Sequence, residues 1–400
     1  MRQLGPMLLV LVLVGAALGA ALAAGREECT SAVVTGAATA DGRPILWKNR
    51  DTDSLSNKVV LVREKPYDYL AVVNAGQPSG RIVWGGLNAA GFAIINTVAY
   101  NLPGAAGGAA DLEGHVMADA LRRCATADDF EEYLKANLGG GLGCQTNFCV
   151  IDAQGGAAIF ETHNLGYRRL AATDAQPAYL LNTNFSRTGE TDAGAGYCRF
   201  DRERELFAAV PAGQLTHGFI LQTAARDLGH AYVRHPGPTE WKQLPADRPE
   251  WIHAERTIDR GATACAIVVH GVSPGEDPRY ATLWIVLGEP VCSIAVPLWV
   301  AAGETPPELG AGTAAPIYAE ARRLQGQLRP LPGPDRHEYL DLRRLDNRDG
   351  TGWLPGNLKV ERATLAEAAK LLAGHPTPAR LAEFQSAAAA RALAALRRIP

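Results

Sequence analysis

Cys29-Thr30-Ser31-Ala32-Val33-Val34-Thr35, answered by Ile45-Leu46-Trp47-Lys48-Asn49-Arg50-Asp51, is the stretch that decides how this chain is read. Residues 29–35 are small or β-branched throughout, which suits a pleated, half-buried surface. Ala40-Asp41-Gly42-Arg43-Pro44 between the two runs carries turn residues, so they are predicted to pair as an antiparallel hairpin. Alternation along the second run puts Asn49 and Asp51 on one face and Arg50 on the other, where Arg50 reads as structural.

Upstream, Met1-Arg2-Gln3 places a positive charge before an apolar run from Met7 to about Ala24. Ala21-Leu22-Ala23 is a small-x-small cleavage pattern, so residues 1–23 read as a secretory signal peptide, against the rival of an uncleaved anchor. Residues 24–28, Ala24-Gly25-Arg26-Glu27-Glu28, are then a short propeptide, and the protein is expected to be secreted or periplasmic. No other stretch is apolar enough to span a membrane, so no membrane association is expected once the signal is removed.

Downstream, residues 59–62, 69–73, 82–87 and 91–98 read as strands, the last two as a hairpin through Asn88-Ala89-Ala90-Gly91. Helices are predicted over 113–124 and 127–137, the second capped by Thr126 with Asp128, Asp129 and Glu131 in its first turns. Strands resume at 147–152, 157–161 and 179–184. Helices follow at 199–209 and 214–228, then strands at 264–270, 281–287 and 291–296. Hairpins outnumber βαβ units, which favours an α+β layered fold with antiparallel sheets. Residues 306–400 read as a helical extension packed on the domain of residues 29–305.

With 47% hydrophobic and 20% charged residues, the chain has ample core material. A net charge of −3 gives no electrostatic case for nucleic acid. Of seven cysteines, six could form up to three disulfides and leave one free thiol, and their pairing is open. No Cys/His spacing suits zinc, and neither a GxGxxG nor a P-loop is present, so no metal and no cofactor are expected. The histidines have no Gly-x-Ser-x-Gly elbow to serve. Trp241 and Trp251 read as caps on the sheet rather than as a pocket wall.

A mature chain beginning at Cys29 would hold a thiol and a free α-amine on one residue. The thiol alone, at a pKa of ~8.5, is only a few per cent ionised at neutral pH. The α-amine, near ~8, can take its proton and later deliver it to a leaving nitrogen.

The Cys-Thr-Ser start, the hairpin and Trp47-Lys48-Asn49-Arg50-Asp51 resemble the N-terminal-nucleophile (Ntn) hydrolases of the choloylglycine hydrolase and penicillin V acylase type, and still more the acyl-coenzyme A:6-aminopenicillanic acid acyltransferase-like proteins. That resemblance implies a four-layer αββα sandwich and cleavage of a linear C–N amide by Cys29 after autocatalytic maturation. It implies that Asp51 holds the Cys29 amine. Lys48 stands where the bile-salt and penicillin V enzymes usually carry arginine. Thr183-Asn184 is similar to the family's Thr-Asn pair, which makes Asn184 an oxyanion donor worth roughly 3 kcal/mol. Asn182 is the alternative two residues away. Arg199-Phe200 resembles the segment bearing the active-site arginine, and Asn96 lies near a second oxyanion or pocket position. Asn88-Ala89-Ala90-Gly91-Phe92 is similar to the family's Asn-Glu-x-Gly-Leu turn. The expected partner is a small N-acyl amide, with a homo-oligomer left open. The alternatives are an acyltransferase with an amine acceptor, disfavoured because a secreted chain meets little coenzyme A, and a non-catalytic secreted binding protein on the same fold.

Overall fold

The computed structural model describes residues 27–77, 79–103, 111–332 and 338–400. The predicted signal peptide and the first three propeptide residues lie outside the described residues. Among the described residues no helix is long and apolar enough to cross a membrane.

The opening hairpin forms as the sequence predicts. β1 (Glu28–Val34) pairs antiparallel with β2 (Ile45–Asp51), with Cys29 opposite Arg50 and Ser31 opposite Lys48. β2 is buried over its whole length. It lies at the centre of a six-stranded sheet ordered β10-β1-β2-β12-β13-β14, where β10 is Tyr179–Asn182, β12 Thr263–His270, β13 Thr282–Leu287 and β14 Val296–Leu298. A second sheet of seven strands runs in sequence order from β3 (Asn57–Val62) through β4 (Tyr69–Asn74), β5 (Gly85–Asn88), β6 (Ala93–Val98), β7 (Thr146–Ile151) and β8 (Ala157–His163) to β9 (Gly166–Ala171). All pairings within both sheets are antiparallel.

Period-two alternation sorts the side chains into layers. Leu46, Cys265, Ile267 and Val269 of one sheet meet Leu70, Val72, Ile95 and Cys149 of the other in a common core. The outer face of the seven-stranded sheet packs Phe92, Ile94 and Phe148 against helices α1 (Glu113–Arg123) and α2 (Ala127–Asn137). The outer face of the other sheet packs Ile45, Trp47 and Val268 against α3 (Tyr197–Ala208) and α4 (His217–Gln222). The result is the α-β-β-α stack that was expected. Past residue 306 the longer helices are α5 (Pro316–Leu328), α6 (Leu354–Ala373) and α7 (Pro378–Arg397), and their apolar faces join the inter-sheet core.

Several boundaries differ from the sequence reading. Thr126 does cap α2, in a full capping box with Asp129. Ile82-Val83-Trp84, however, precede the strand, and β5 holds only Gly85–Asn88. Residues 291–296 are not a strand: Pro290–Cys292 form a 3-10 turn and the strand starts at Val296. Proline at its first position favours such a turn over a ladder. The helix expected over 214–228 stops at Gln222 and continues as a 3-10 turn. Asn184 lies beyond β10 rather than on it, so Asn182 and Asn184 do not share a strand face. β9 and the small pair β11 (Trp251–His253) with β15 (Tyr339–Asp341) were not foreseen. All seven cysteines are free thiols.

Candidate active site

Cys29 is the second residue of β1 and is 2% exposed. Pairing and alternation put its thiol on the inter-sheet face with Ser31, Lys48 and Arg50. Ser31 on that face comes within 3.9 Å of the Cys149 sulfur of the opposite sheet. Glu28, Thr30 and Asp51 point to the other face, towards α3. Cys29 thus stands where the two faces of the sheet meet at its open end.

The backbone around Cys29 is held on both sides. Its N–H donates to Asn184 Oδ1 at 2.8 Å, and its carbonyl accepts from Arg199 Nη1 at 2.6 Å. Arg199 Nη1 also reaches Thr30 Oγ1 at 2.9 Å, while Nη2 reaches Asn184 Oδ1 at 3.0 Å and Glu28 Oε2 at 2.6 Å. Arg199 therefore binds three consecutive residues across the Glu28–Cys29 peptide. It can do so because α3 begins at a left-handed glycine. Gly196 has φ +78°, and a Cβ there would lie 2.7 Å from Arg199 Nη2 and 2.8 Å from Thr183 Oγ1. Asn184 is placed by its carbonyl, which accepts from Ala195 and Tyr100, and by its Nδ2, which donates to Val98 at 3.0 Å.

A second arginine completes the clamp. Arg260 Nε donates to Asp51 Oδ2 at 2.8 Å, and its Nη2 donates to the same Glu28 Oε2 at 3.1 Å. Thr263 donates to Asp51 Oδ1 at 2.7 Å. On the inter-sheet side Arg50 Nη2 holds Glu27 Oε1 at 2.9 Å and its guanidinium stacks 4.1 Å from the Trp84 ring. The Tyr100 hydroxyl donates to the Glu27 carbonyl. A cleft of about 280 Å³ opens beside Glu28, lined further by Tyr197, Cys198, Arg199, Arg256 and Arg260.

Three solved structures are similar to this chain. A Caenorhabditis elegans N-acylethanolamine-hydrolyzing acid amidase ortholog matches at 13% identity and a TM-score of 0.42, over 64% of this chain and 100% of that one. Penicillin V acylase from Agrobacterium tumefaciens matches at 14% identity and 0.34, over 68% and 85%. A mutant conjugated bile acid hydrolase from Clostridium perfringens matches at 13% and 0.30, over 40% of this chain and 54% of that one. No protein-family model and no curated protein matches the sequence.

Of the residues singled out in the sequence, Cys29, Asn184 and Arg199 form one hydrogen-bonded group. Asp51 joins it through Arg260 and Glu28; its carboxylate bonds Arg260 and Thr263, while the Cys29 N–H goes to Asn184. Lys48 and Asn96 meet each other across the sheets, Lys48 Nζ donating to Asn96 Oδ1 at 2.7 Å and to the Trp84 carbonyl at 3.1 Å. Asn182 turns away, donating to Thr97 Oγ1 at 2.9 Å and accepting from Arg187. The sequence reading missed Arg260 and the two glutamates ahead of Cys29, Glu27 and Glu28. Arg260 sits in an ordinary Asp-Arg-Gly turn, and nothing local marks it.

Burial pushes the Cys29 thiol pKa up; the Lys48 charge opposes this, and the Asp51 and Glu27 carboxylates add to it. Burial also raises Asp51, offset in part by Arg260, Arg199 and the Thr263 hydroxyl. For Glu28 burial is outweighed by the charges and hydrogen bonds of Arg199 and Arg260, so its carboxyl lies below the usual range. With Glu28 attached, Cys29 is thus a protonated, shielded thiol whose nitrogen is an amide and not a base.

Proposed function

We propose that this chain is an amidohydrolase of the cysteine Ntn type, cleaving the C–N bond of a small N-acyl amide after removal of the residues ahead of Cys29. The observation that carries the reading is the grip of Asn184 and Arg199 on the backbone of a buried cysteine at the start of a central strand. The two contacts flank Cys29 itself, and the first is to the nitrogen of the Glu28–Cys29 peptide bond, whose cleavage would turn that amide nitrogen into an amine.

Maturation begins with Cys29 Sγ attacking the Glu28 carbonyl carbon. The resulting ester of sulfur is hydrolysed, and the amine is released. In the mature chain the neutral amine takes the thiol proton, and the thiolate attacks the substrate carbonyl. Lys48, whose charge favours the thiolate, assists this step. The protonated amine passes its proton to the leaving nitrogen, and the C–N bond breaks to a thioester on Cys29. Water then attacks the thioester and Cys29 is restored. Asn184 Oδ1, which accepts from the Cys29 nitrogen here, orients the amine, while Asp51 fixes Arg260. The oxyanion role expected of Asn184 Nδ2 requires it to leave the Val98 carbonyl.

Intact mass and N-terminal sequencing test the reading. Wild type is expected to begin at Cys29, and Cys29→Ala to retain Glu28. A wild-type chain that keeps Glu28 and forms no mass-detectable acyl adduct with N-acyl amides would remove it.

A further inference from the structure

The end of the six-stranded sheet opposite Cys29 gathers three side chains of metal-ligand type. Asp41 lies in the turn between β1 and β2, His270 is the last residue of β12, and His217 opens α4. His270 pairs with Ile45, the first residue of β2, while Cys29 pairs with Arg50 near its other end. At ~3.4 Å per residue, the cluster stands roughly 17 Å along the sheet from Cys29. One ligand atom from each of the three lies within 4.8 Å of the other two. His270 is 5% exposed. Its Nε2 is 2.9 Å from Asp41 Oδ2 but not aligned for a hydrogen bond, and it has no hydrogen-bond partner among the described residues. Buried polar atoms are ordinarily satisfied, so this orphan beside a carboxylate oxygen fits two lone pairs that converge on a third atom. His217 stacks on His270 with ring centroids 4.0 Å apart, and on Trp284 at 5.7 Å. Asp41 is oriented by the Arg43 N–H, which donates to Oδ1 at 3.3 Å, and the Arg43 guanidinium is taken up by Glu276 at 2.8 Å. The Asp41 side chain is 49% exposed, which gives an ion a path from solvent.

We propose that Asp41, His217 and His270 form a zinc site, with one carboxylate oxygen, two imidazole nitrogens and a water as its ligands. Two imidazoles and one carboxylate suit Zn²⁺, whereas Ca²⁺ and Mg²⁺ take oxygen ligands. With zinc bonds of ~2.0–2.1 Å, the ligand atoms of a tetrahedral site lie about 3.4 Å apart. His270 Nε2 and Asp41 Oδ2 are close to that spacing already, and the half-buried His217 ring tilts out of its stack to complete the site. Three protein ligands leave the fourth position to water on the exposed Asp41 side. The ion joins the β1–β2 turn, the end of β12 and α4 at one point, so its binding stabilises the fold. The three ligands come from separate segments of the chain, which is why no Cys/His spacing points to them. The site stands whether or not Cys29 is a nucleophile.

The test uses the purified full chain, stripped with EDTA. Calorimetric titration with ZnCl₂ is expected to show one ion bound per chain, and the melting temperature to rise with free zinc. Loss of even an outer-shell partner weakens metal binding by about 10–100-fold, so Asp41→Asn and His217→Ala should each weaken zinc at least tenfold. Neither position is fully buried, so both variants keep the core packed. Cobalt gives a second readout. Co²⁺ bound here should show the visible bands of a nitrogen–oxygen site without the near-ultraviolet sulfur charge-transfer band of a cysteine ligand. Cys198, whose sulfur lies 3.4 Å from His230 Nε2, is the rival metal ligand, and Cys198→Ser should bind zinc as wild type does. Unchanged zinc affinity in both Asp41→Asn and His217→Ala overturns the proposal. So does a sulfur band with Co²⁺, loss of zinc binding in Cys198→Ser, or a wild-type chain that takes up no zinc.

Discussion

A double-mutant cycle between Arg199 and Glu28 tests the clamp most directly. In a Cys29→Ala background, which keeps Glu28 attached, the cycle combines Arg199→Met with Glu28→Gln. Two unit charges 2.6 Å apart attract by about 6 kcal/mol at an effective dielectric of ~20. Desolvation of Arg199, and the second claim on the same oxygen by Arg260, reduce the expected coupling to roughly 2 kcal/mol. Chemical denaturation of the four proteins at pH 7 reads it. The coupling should also have a defined pH dependence. Glu28 is depressed below 4.5, so its contribution is complete above that value and disappears as pH falls through the lower, folded-state value. A coupling near zero at pH 7, or one that grows on acidification, would refute the clamp.

Other consequences follow from individual contacts. Gly196→Ala forces a side chain into a left-handed conformation and against the Arg199 guanidinium, so it should cost about 1–2 kcal/mol and slow loss of Glu28, read by denaturation and by mass over time. Lys48→Met removes the charge that lowers the Cys29 thiol, so iodoacetamide should alkylate Cys29 several-fold more slowly at neutral pH; an unchanged or faster rate would exclude that role. His217, stacked on His270, is pushed by burial and by His270 down to about 3. A neutral, half-buried histidine contributes fully above its unfolded value near 6.5 and loses that contribution as pH falls below it. Stability should therefore drop by about 2 kcal/mol more between pH 7 and 5 than in His217→Phe.

The parts of this molecule legible in its sequence are those decided by near neighbours. Cys29, the β1–β2 hairpin and the Thr126 cap each depend on patterns within a few residues. So does the separation of Arg50 from Asn49 and Asp51, because strand alternation is local. Arg50 nonetheless holds Glu27, a contact the sequence did not announce. The 291–296 stretch misled because an apolar β-branched run reads as a strand until its proline and the neighbouring helices decide otherwise.

Tertiary structure alone decided how the site is wired. Arg260 and Arg199 reach Glu28 from 232 and 171 residues away. Asn184 presents its oxygen, not its amide nitrogen, to Cys29 because a loop bridge to Ala195 and the Val98 carbonyl set its orientation. Period and propensity determine which residues can form a strand and which face each one takes. They do not determine which distant guanidinium is brought against which carboxylate, because that depends on how the layers and the loops beyond the strand ends pack. The candidate cysteine and the layered fold were therefore written in the chain, while the pair of arginines that meets on Glu28 exists only once it has folded.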